Sequence, residues 1–575
     1  MIRLFRYLRP FIWSVLGVLM FLFFQAMAEL YLPTLMSDVV NNGMMKGDTG
    51  YIWKYGSYML LVALGSSACA IVGSFLSSKI ALGFGRDLRS VVFTRVESYS
   101  LNEFDKIGTA SLITRTTNDI NQVQTLLVMG MRFMIYAPIM CIGGIIMALS
   151  KDKPLTLILA VVLPALLILI GILASAVVPM FKALQKKLDK VNLVLRENLI
   201  GIRVIRAFNR LESERVRFSE ANSDLTETSI KVNKIMAAMQ PIMMFFMNIT
   251  SIAIIWFAGL RIGNGKMELG DMMAFLQYAM QIMFSLIMVS IMYVMVPRAQ
   301  ASAVRINEVL DMKPEINDPE QPEKADRQRG YVEFRNVTFH YPGAEEPAIN
   351  DISFLAKPGE VTAVIGGTGS GKSTLINLIP RFYDIDGGSI LVDGVDVREM
   401  TQKELRSKIG FVPQAPILFT GTISDNIRYG KGDATDEEIR HAAEVAQAKE
   451  FISNMKDGYD SEISQGGTNV SGGQKQRLSI ARALVGKPEI YIFDDSFSAL
   501  DFKTDARLRA ALKKETADST VIIVAQRVST VMDADRIIVL DNGRIEGMGK
   551  HKELLNTCEV YREIVSSQLS EEEIA

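Results

Sequence analysis

Six long segments without a charged residue lie within the first 300 residues of this 575-residue chain. The shortest has 18 residues, and a helix of that length spans about 27 Å, close to the hydrocarbon thickness of a bilayer, about 30 Å. One such segment is compatible with a buried helix of a soluble protein, but six in succession predict a multi-pass membrane domain. The segments are 11–28, 56–78, 133–150, 154–181, 235–260 and 272–297.

The first segment admits a second interpretation, a cleaved signal peptide. Three arginines precede it, and it ends in Ala26-Met27-Ala28, which is similar to a cleavage site. The apolar character, however, continues past Glu29 to residue 36, which is longer than a typical signal core. We therefore expect the segment to remain as the first membrane helix.

The loops between the segments carry unequal positive charge. Loops on one side hold 22 Lys and Arg, whereas loops on the other side hold six. Because positively charged loops stay inside, the N-terminus and the C-terminal half are predicted to be cytoplasmic, in a multi-pass protein of the cell (inner or plasma) membrane. The inner loops are 1–10, 79–132 and 182–234, and the outer loops are 37–55, 151–153 and 261–271.

Both long inner loops are predicted to be helical. They have 54 and 53 residues and contain no proline. In the second loop apolar residues recur at helical spacing, with basic residues between them. Twenty-five helical residues would project about 37 Å. We therefore expect two helical extensions joined by a short turn in each loop, rather than a disordered loop. The recurring residues are Leu188, Val191, Leu195, Leu199, Ile202 and Ile205.

The second half of the chain differs in composition from the membrane domain, 1–310. Residues 311–329 contain three prolines and many charges, which is typical of a linker. Short β-rich runs then alternate with helical segments, which predicts an α/β domain over 330–566, followed by an acidic tail, 567–575.

The charge balance gives no indication of a nucleic-acid partner, because the chain has 62 Lys and Arg against 63 Asp and Glu and therefore no basic excess. Its three separated cysteines give no disulfide framework.

A glycine-rich motif in the α/β domain predicts nucleotide binding. It follows a strand-like run, 361–365, precedes a helical run, and matches the spacing of a phosphate-binding loop of P-loop NTPases. Glycines let backbone N–H groups surround phosphates, and the helix N-terminus adds a favourable dipole. Lys372 is then expected to reach the β- and γ-phosphates of ATP, and Ser373 to bind Mg²⁺. The motif and its first helical residue are Gly366, Gly367, Thr368, Gly369, Ser370, Gly371, Lys372, Ser373 and Thr374.

A second strand, 490–493, ends in two carboxylates, Asp494 and Asp495. An apolar strand that delivers a carboxylate to the phosphate loop is the usual companion of this motif. Asp494 is therefore predicted to help hold Mg²⁺.

Between these two motifs lies Ser471-Gly472-Gly473-Gln474, followed by Lys475-Gln476-Arg477. Together with the phosphate loop and the Asp494 strand it resembles the signature of ABC ATPases. With the six segments ahead of it, essentially the whole chain resembles a half-transporter of the ABC exporter type. The expected fold is an α-helical transmembrane domain of six long helices followed by an α/β P-loop NTPase domain.

The resemblance implies roles for further residues. Tyr341 matches the aromatic residue that stacks on adenine, Gln414 the glutamine that contacts Mg²⁺, and Asp501 the aspartate of the D-loop. It also implies that two such domains sandwich two ATP molecules, so that the signature residues act on the partner's site. The turns near 102–108 and 208–214 match the helices that dock on the ATPase domains.

The chain departs from the family pattern at three positions. Asp495 stands where the family usually has the glutamate that orients the attacking water. Gln526 stands where it usually has a histidine, and glutamine cannot carry a titrating proton. Gln465 replaces a glutamate that usually precedes the signature. The changes at Asp495 and Gln526 affect the same chemical step. They therefore predict a degenerate site that binds ATP but hydrolyses it weakly.

This pattern resembles the degenerate-site subunit of heterodimeric bacterial ABC exporters. The implied partner is a second half-transporter with Glu and His at the two positions. The expected activity is ATP-driven export of amphipathic or hydrophobic compounds, drugs or lipids, by alternating access. Alternatives are an ATP-gated channel or regulator, a lipid or peptide exporter, and an importer subunit, which the fusion of membrane and ATPase parts disfavours.

Methionines are frequent in segments five and six. A flexible, polarizable side chain suits an adaptable binding site, but ordinary packing or contact with lipid is the favoured interpretation. The methionines are Met243, Met244, Met247, Met280, Met283, Met288, Met292 and Met295.

Overall fold

The computed structural model describes residues 1–324 and 329–569. Its contacts divide the chain into two compact units, Met1–Glu97 with Thr109–Met312, and Ser98–Gly108 with Lys313–Ala575. We call them the membrane unit and the ATPase unit and describe each by itself. Part of the predicted linker, 325–328, and most of the predicted acidic tail, 570–575, lie outside the described residues.

Long helices form the membrane unit and confirm the six predicted segments. Each segment lies within one helix that is long and apolar enough to cross a bilayer. The second of them has 49 residues, about 74 Å at 1.5 Å per residue, so it extends well beyond the bilayer. The first nine α-helices of the chain are α1 Ile12–Asp38, α2 Thr49–Glu97, α3 Leu101–Ile107, α4 Thr109–Thr114, α5 Ile120–Lys151, α6 Lys153–Ile200, α7 Ile202–Ala207, α8 Leu211–Gly263 and α9 Leu269–Asp311.

Irregular helical segments join some of these helices. A 3₁₀ helix, Ile2–Phe11, leads into α1, and π-helical segments occupy Val39–Met44 and Arg115–Asp119. The 208–214 turn lies partly within α8, and the short helix of this region, α7, comes before it. The chain turns there because Asn209 adopts a left-handed backbone, with φ 51°, which ends the preceding helix.

Within the membrane unit, α1 packs along α2, α5 along α9, and α6 along α8. Buried apolar side chains of α9, among them Phe275, Tyr278 and Ile282, pack with Ala26 and Leu30 of α1. The helices α5 and α9 approach closely at Gly144. A Cβ atom there would lie 2.7 Å from the Ile282 side chain. Small residues at such positions allow membrane helices to pack tightly.

The inner ends of two helices are joined by a buried carboxylate. Asp119, at the start of α5, is fully buried and accepts hydrogen bonds from Ser302 Oγ at 2.8 Å and from Arg305 Nε at 2.7 Å, both on α9. At the outer ends, Lys151 Nζ lies 2.8 Å from Asp271 Oδ1. These polar contacts fix the helix pair α5 and α9 at both ends.

The ATPase unit contains three sheets. Its strands are β1 Val332–Phe339, β2 Ile349–Ala356, β3 Val361–Gly366, β4 Gly387–Val392, β5 Val395–Asp396, β6 Ile409–Val412, β7 Gly421–Thr422, β8 Glu462–Ile463, β9 Ile490–Asp494, β10 Thr520–Val524, β11 Arg536–Asp541 and β12 Arg544–Gly549. Its remaining helices are α10 Lys372–Leu378, α11 Gln402–Ser407, α12 Ile423–Arg428, α13 Asp436–Val445, α14 Lys449–Ser453, α15 Gly472–Leu484, α16 Phe502–Glu515, α17 Val528–Val531, α18 His551–Thr557 and α19 Glu559–Gln568.

The central sheet has six strands in the order β12-β11-β3-β10-β9-β6, and all except β12 are parallel. An antiparallel sheet, β2-β1-β4-β5, and a two-stranded pair, β7-β8, complete the unit. Val524 of β10 lies opposite both Val364 of β3 and Asp494 of β9. The carboxyl ends of β3, β9 and β10 therefore meet at one edge, where α/β sheets usually bind ligands.

The segment Ser98–Gly108 groups with the ATPase unit. Its helix α3 begins with a capping box, in which Ser100 N donates to Glu103 Oε2 at 2.6 Å. The other carboxylate oxygen of Glu103 accepts from Glu315 N at 3.1 Å, and Asn102 Nδ2 donates to Glu315 Oε2 at 2.8 Å. The predicted turn near 102–108 is therefore mostly the short helix α3, Leu101–Ile107, which is hydrogen-bonded to Glu315 within the ATPase unit.

Candidate nucleotide-binding site

A cavity of about 400 Å³ lies at the carboxyl edge of the central sheet; we call it the nucleotide cavity. Eleven of the residues predicted to form the ATP site line it, together with Ala348 and Val524. The eleven are Tyr341, Thr368, Gly369, Gly371, Lys372, Ser373, Thr374, Gln414, Asp494, Asp495 and Gln526.

The phosphate loop, which joins β3 to α10, depends on glycine at particular positions. Gly369 and Gly371 have φ +83° and +97°, values that other residues adopt at a cost. At Gly371 a Cβ atom would also lie 2.7 Å from the Ala348 carbonyl oxygen. At Gly366 it would collide with the carbonyl oxygen of Leu540, whereas at Gly367 it would meet nothing within 4 Å. Gly366 and Gly371 are therefore required by the fold of the loop.

Lys372 begins α10 and is buried beneath the loop. Its Nζ donates to the carbonyl oxygens of Gly366 at 2.8 Å and Gly367 at 2.6 Å. Burial lowers the pKa of Lys372, while Asp495 and Asp494 act in the opposite direction. The ammonium group is thus held at the loop, close to two carboxylates.

The next residue of the loop contacts the second predicted motif. Ser373 Oγ donates to Asp494 Oδ1 at 3.2 Å, and Gln414, which follows β6, faces the same cavity. Burial raises the pKa of Asp494, and the hydrogen bond from Ser373 partly opposes the rise. A hydroxyl, a carboxylate and an amide oxygen are hard oxygen ligands, so this donor set fits Mg²⁺.

Asp495 and Gln526 lie side by side at the ends of β9 and β10. The backbone N–H of Asp495 donates to the Val524 carbonyl at 2.9 Å, and this contact ties the two strand ends together. Asp495 has a left-handed backbone, with φ 44°, a conformation that aspartate tolerates better than most residues. Burial raises the pKa of its carboxyl group, while hydrogen bonds from Ser498 and the Gln526 backbone oppose the rise. The two unusual residues therefore share one wall of the nucleotide cavity.

Tyr341 lies at the mouth of the cavity. Its hydroxyl is 3.0 Å from Thr374 Oγ1, and its ring packs edge-on against Tyr383 with centroids 5.5 Å apart. The ring remains 37% exposed, so one face is available for stacking on a base.

The signature residues do not line the nucleotide cavity. Ser471 caps α15 and Gln474 completes a capping box, with Gln474 N donating to Ser471 Oγ at 3.3 Å and Ser471 N donating to Gln474 Oε1 at 2.8 Å. Gly472 and Gly473 form the first turn of that helix. Asp501 also lies outside the cavity and caps α16 by accepting from Thr504 N at 3.0 Å.

The structure adds two lining residues that the sequence did not indicate, Ala348 and Val524. Ala348 precedes β2. Val524 ends β10, two positions before Gln526. Apolar residues at strand ends carry no chemical signal of their own. The strand order, which places β10 between β3 and β9, explains the position of Val524. Ala348 reaches the cavity from the start of β2, next to Gly371 of the phosphate loop.

The methionines of segments five and six mostly pack within the membrane unit. Met243, Met283 and Met292 are buried among apolar side chains of neighbouring helices. Of the eight, only Met280 lines a cavity of about 1060 Å³ within the membrane unit, which we call the membrane cavity.

Comparison with known proteins agrees with this arrangement. Residues 15–286 match the ABC transporter transmembrane region family, and residues 349–498 match the ABC transporter family. An uncharacterised ABC transporter ATP-binding protein of Mycobacterium tuberculosis is 43% identical over 98% of this chain and 97% of its own length. A fatty acid ABC transporter ATP-binding/permease protein of Mycobacterium bovis is 35% identical over 82% of this chain and 75% of its own length.

A solved structure supports the same assignment. The structure of a bacterial Atm1-family ABC exporter with ATP bound superposes with a TM-score of 0.80 at 25% identity, covering 97% of this chain and 98% of the other. One conclusion follows from the spans of the membrane unit, the parallel sheet with its phosphate loop, and the full-length relatives. This chain belongs to the ABC transporter family, as a multi-pass half-transporter of the exporter type with a cytoplasmic ATPase domain.

Proposed function

We propose that this chain is the degenerate-site subunit of a heterodimeric ABC exporter. Its own ATP site binds ATP but hydrolyses it weakly. The partner half-transporter carries Glu and His at the positions of Asp495 and Gln526 and supplies the main catalytic site. The complex exports amphipathic or hydrophobic compounds from the cytoplasm or the inner leaflet.

One observation carries the proposal. Asp495 and Gln526 line the same cavity as Lys372 and Asp494, so both substitutions affect one active site. The Asp495 side chain is one methylene shorter than that of glutamate, which withdraws its carboxylate from a water held at the γ-phosphate. Gln526 offers a hydrogen bond but no titrating proton. A general base typically contributes 10²- to 10⁴-fold to a rate, so the paired changes account for weak hydrolysis.

The binding residues remain in place for ATP. Tyr341 offers a ring face to the adenine, the loop N–H groups and Lys372 hold the phosphates, and Ser373, Gln414 and Asp494 supply oxygen ligands for Mg²⁺. A bound Mg²⁺ would supply positive charge that neutralises the phosphates. Retention of these groups beside two altered hydrolytic positions supports binding without efficient turnover.

The position of the signature supports the need for a partner. Ser471 and the glycines of α15 lie outside the chain's own nucleotide cavity, at the start of a 13-residue helix whose N-terminus favours an anion. They would therefore complete the partner's ATP site. ATP binding would then close the two ATPase domains and shift the membrane domains from inward to outward opening. Hydrolysis at the partner's site would reset the cycle.

The substrate class follows from the membrane unit and from one relative. The spans contain almost no charge, which disfavours a pathway for small ions. The mycobacterial relative named for fatty-acid transport shares 35% identity with this chain, which supports an amphipathic cargo.

The test compares ATP turnover in four purified samples in lipid nanodiscs. They are this chain alone, the chain co-expressed with its partner, and each of these carrying Asp495→Glu with Gln526→His. We expect the chain alone to bind ATP with Mg²⁺ yet turn it over at least about 100-fold more slowly than its double variant. The complex should hydrolyse ATP readily without the substitutions.

The matched control is Asp518→Glu with Gln321→His, the same chemical changes at two exposed positions outside the cavity. It should leave turnover unchanged. If the unmodified chain alone hydrolyses ATP as fast as the complex, the proposed division of labour is wrong.

A further inference from the structure

The membrane cavity lies between four helices of the membrane unit, α1, α2, α8 and α9. At about 1060 Å³ it reaches the upper end of the range of small-molecule sites, roughly 300–1,000 Å³. Most of its lining is aliphatic or sulfur-containing, such as Met36, Leu60, Ile255 and Met280, with Phe284 at one side. The space therefore suits a bulky apolar body.

One ionisable residue, Glu29, is among the residues that line this cavity. It lies nine residues before the end of α1, about 13 Å from the outer end of that helix at 1.5 Å per residue. That depth is within the apolar part of the span. A charged group at this depth costs free energy, so such residues usually have a function and a partner.

Neutral groups hold the Glu29 carboxylate. Gln25 Nε2 donates to Oε1 at 2.9 Å, Ser66 Oγ donates to the same oxygen at 3.4 Å, and the Tyr136 hydroxyl donates to Oε2. These donors come from α1, α2 and α5. They orient the carboxylate without cancelling its charge.

The described part of the chain provides no cation to pair with Glu29. None of its ion pairs within 4.0 Å involves this residue. Arg132, one helical turn from Tyr136 towards the cytoplasmic end, is the nearest basic residue along α5. Its exposed side chain interacts electrostatically with Tyr136 but forms no ion pair with Glu29 within 4.0 Å. The cavity therefore holds a carboxyl group that has no ion-pair partner among the described residues, in an apolar setting where attraction between opposite charges is strong.

A second polar residue of the cavity wall, Gln281, lies next to Glu29. Gln281 lines the cavity, and its side-chain Nε2 donates to the Glu29 carbonyl at 3.3 Å. Its amide oxygen is buried and has no hydrogen-bond partner among the described residues. Gln281 therefore links α9 to α1 at the wall of the cavity, and its buried oxygen does not contact a ligand there.

We propose that Glu29 makes the membrane cavity a binding site for hydrophobic organic cations. The apolar walls hold the body of the ligand, while the Glu29 carboxylate faces its positive group. This inference rests on the proposed function, since it names the substrate class of the same exporter. Glu29 is a specificity-determining residue, because an anion of the same shape would meet an uncompensated carboxylate.

The alternative is that Glu29 only ties α1 to α2 and α5. Both roles predict that replacing Glu29 disturbs the helices, so stability alone does not separate them. Charge selectivity does, because a structural hydrogen bond has no preference between a cation and an anion of equal size.

The test uses the full-length complex, purified through a tag on this chain and held in lipid nanodiscs without nucleotide. Saturable binding of tetraphenylphosphonium and of tetraphenylborate is measured separately, since the two ions pair with each other, and binding to empty nanodiscs is subtracted. We expect the cation to bind at least about tenfold tighter than the anion. Glu29→Gln should raise the Kd for the cation roughly tenfold, the loss of about one charge-assisted contact, and leave the anion unchanged or tighter.

Glu268→Gln is the matched control, since it makes the same change at an exposed residue outside the cavity, and it should alter neither Kd. The proposal is overturned if Glu29→Gln, with an unchanged thermal midpoint, binds the cation as wild type does. It is also overturned if wild type shows no saturable cation binding, or prefers the anion, as a carrier of fatty-acid-like amphiphiles would. If Glu29→Gln does not assemble, the wild-type selectivity alone decides.

Because binding is measured without nucleotide, these results are independent of ATP turnover. Loss of charge selectivity would leave the turnover comparison intact. Rapid hydrolysis by the chain alone would leave the cation site intact.

Discussion

Carboxylates face both the nucleotide cavity and the membrane cavity, but their surroundings differ. In the nucleotide cavity Asp494 and Asp495 lie near the Lys372 ammonium, and Ser373 donates to one of them. In the membrane cavity, Glu29 accepts hydrogen bonds from uncharged donors only, as far as the described residues are concerned. The first arrangement suits a ligand that brings both negative phosphates and a metal cation. The second leaves a negative charge for a positive ligand, so the neighbours of a carboxylate indicate the charge of what it binds.

Asp119 is a third carboxylate, and it lies in the membrane unit, as Glu29 does. Its contacts are those of an acid with a structural role. It is fully buried, and Arg305 and Ser302 both donate to it. Burial alone would raise the pKa of Asp119, but these hydrogen bonds outweigh it, so the pKa lies below its usual value. Unlike Glu29, this group is fully paired within the described chain.

The largest expected effect on stability is therefore at Asp119. Asp119→Asn weakens the hydrogen bonds from Ser302 and Arg305 to a fully buried carboxylate, although the Arg305 side chain itself is 44% exposed. It should lower the free energy of unfolding by about 3 kcal/mol, because each hydrogen bond to a charged group contributes about 1.5–3 kcal/mol. Glu29→Gln breaks no ion pair and should cost less than about 1 kcal/mol. Thermal unfolding of the purified complex measures both.

Glu220→Gln, an exposed charge removal on α8, serves as the reference for these two variants. If Glu29→Gln destabilises the complex as much as Asp119→Asn, Glu29 is a structural acid and the contrast between the two cavities fails.

The second prediction concerns the cation of the nucleotide cavity. Lys372→Ala should lower the affinity for ATP with Mg²⁺ about 100-fold, since charge-assisted hydrogen bonds contribute about 1.5–3 kcal/mol each. Lys503→Ala removes an equal charge at an exposed site outside the cavity and should have no effect. Titration with a fluorescent ATP analogue measures the affinity. Equal affinities for the two variants would show that the loop backbone alone holds the phosphates.

The third prediction tests that backbone. Gly371→Ala should weaken ATP binding about tenfold, because it places a Cβ atom 2.7 Å from the Ala348 carbonyl oxygen at φ +97°. Gly367→Ala, in the same loop, meets nothing within 4 Å and should bind ATP nearly as wild type does. The pair therefore separates loop geometry from glycine content. A similar loss in both variants would contradict the steric argument.

The two cavities also differ in how far the sequence reveals them. The phosphate loop is one contiguous motif, and Asp494 ends a recognisable strand, so the six-helix membrane domain and the ABC ATPase domain were predicted correctly. The neighbours Asp495 and Gln526 are 31 positions apart, yet the family pattern assigned them to the same catalytic step. Their shared wall became visible only through the pairing of β9 with β10.

The membrane cavity had no such signal. Its lining comes from four helices between Glu29 and Phe284, and no local spacing connects them. The methionine pattern indicated segments five and six, but packing buries Met243 and Met283, and Met280 alone of that group faces the cavity. Hydropathy finds a span reliably, but which face of the span meets a cavity depends on neighbouring helices.

The smallest expected effect concerns the stability that the folded protein loses by burying the Asp494 carboxylate in the nucleotide cavity. Burial raises the pKa of Asp494, so its ionised form is destabilised in the folded protein. Asp494→Asn keeps the shape and an acceptor for Ser373 but removes the charge. Without nucleotide at pH 7.5 it should therefore raise the free energy of unfolding slightly.

The pH dependence of this gain identifies its cause. A carboxyl group with a raised folded-state pKa binds its proton more tightly when folded, so acidification through that pKa stabilises wild type relative to the variant. The gain should be largest at neutral pH and shrink as the pH falls towards the ordinary value of 3.8. Asp501→Asn should show no gain, because the hydrogen bond from Thr504 lowers the pKa of Asp501. If Asp494→Asn is less stable than wild type at pH 7.5, Lys372 already compensates the Asp494 charge, and the nucleotide cavity needs no ligand to balance it.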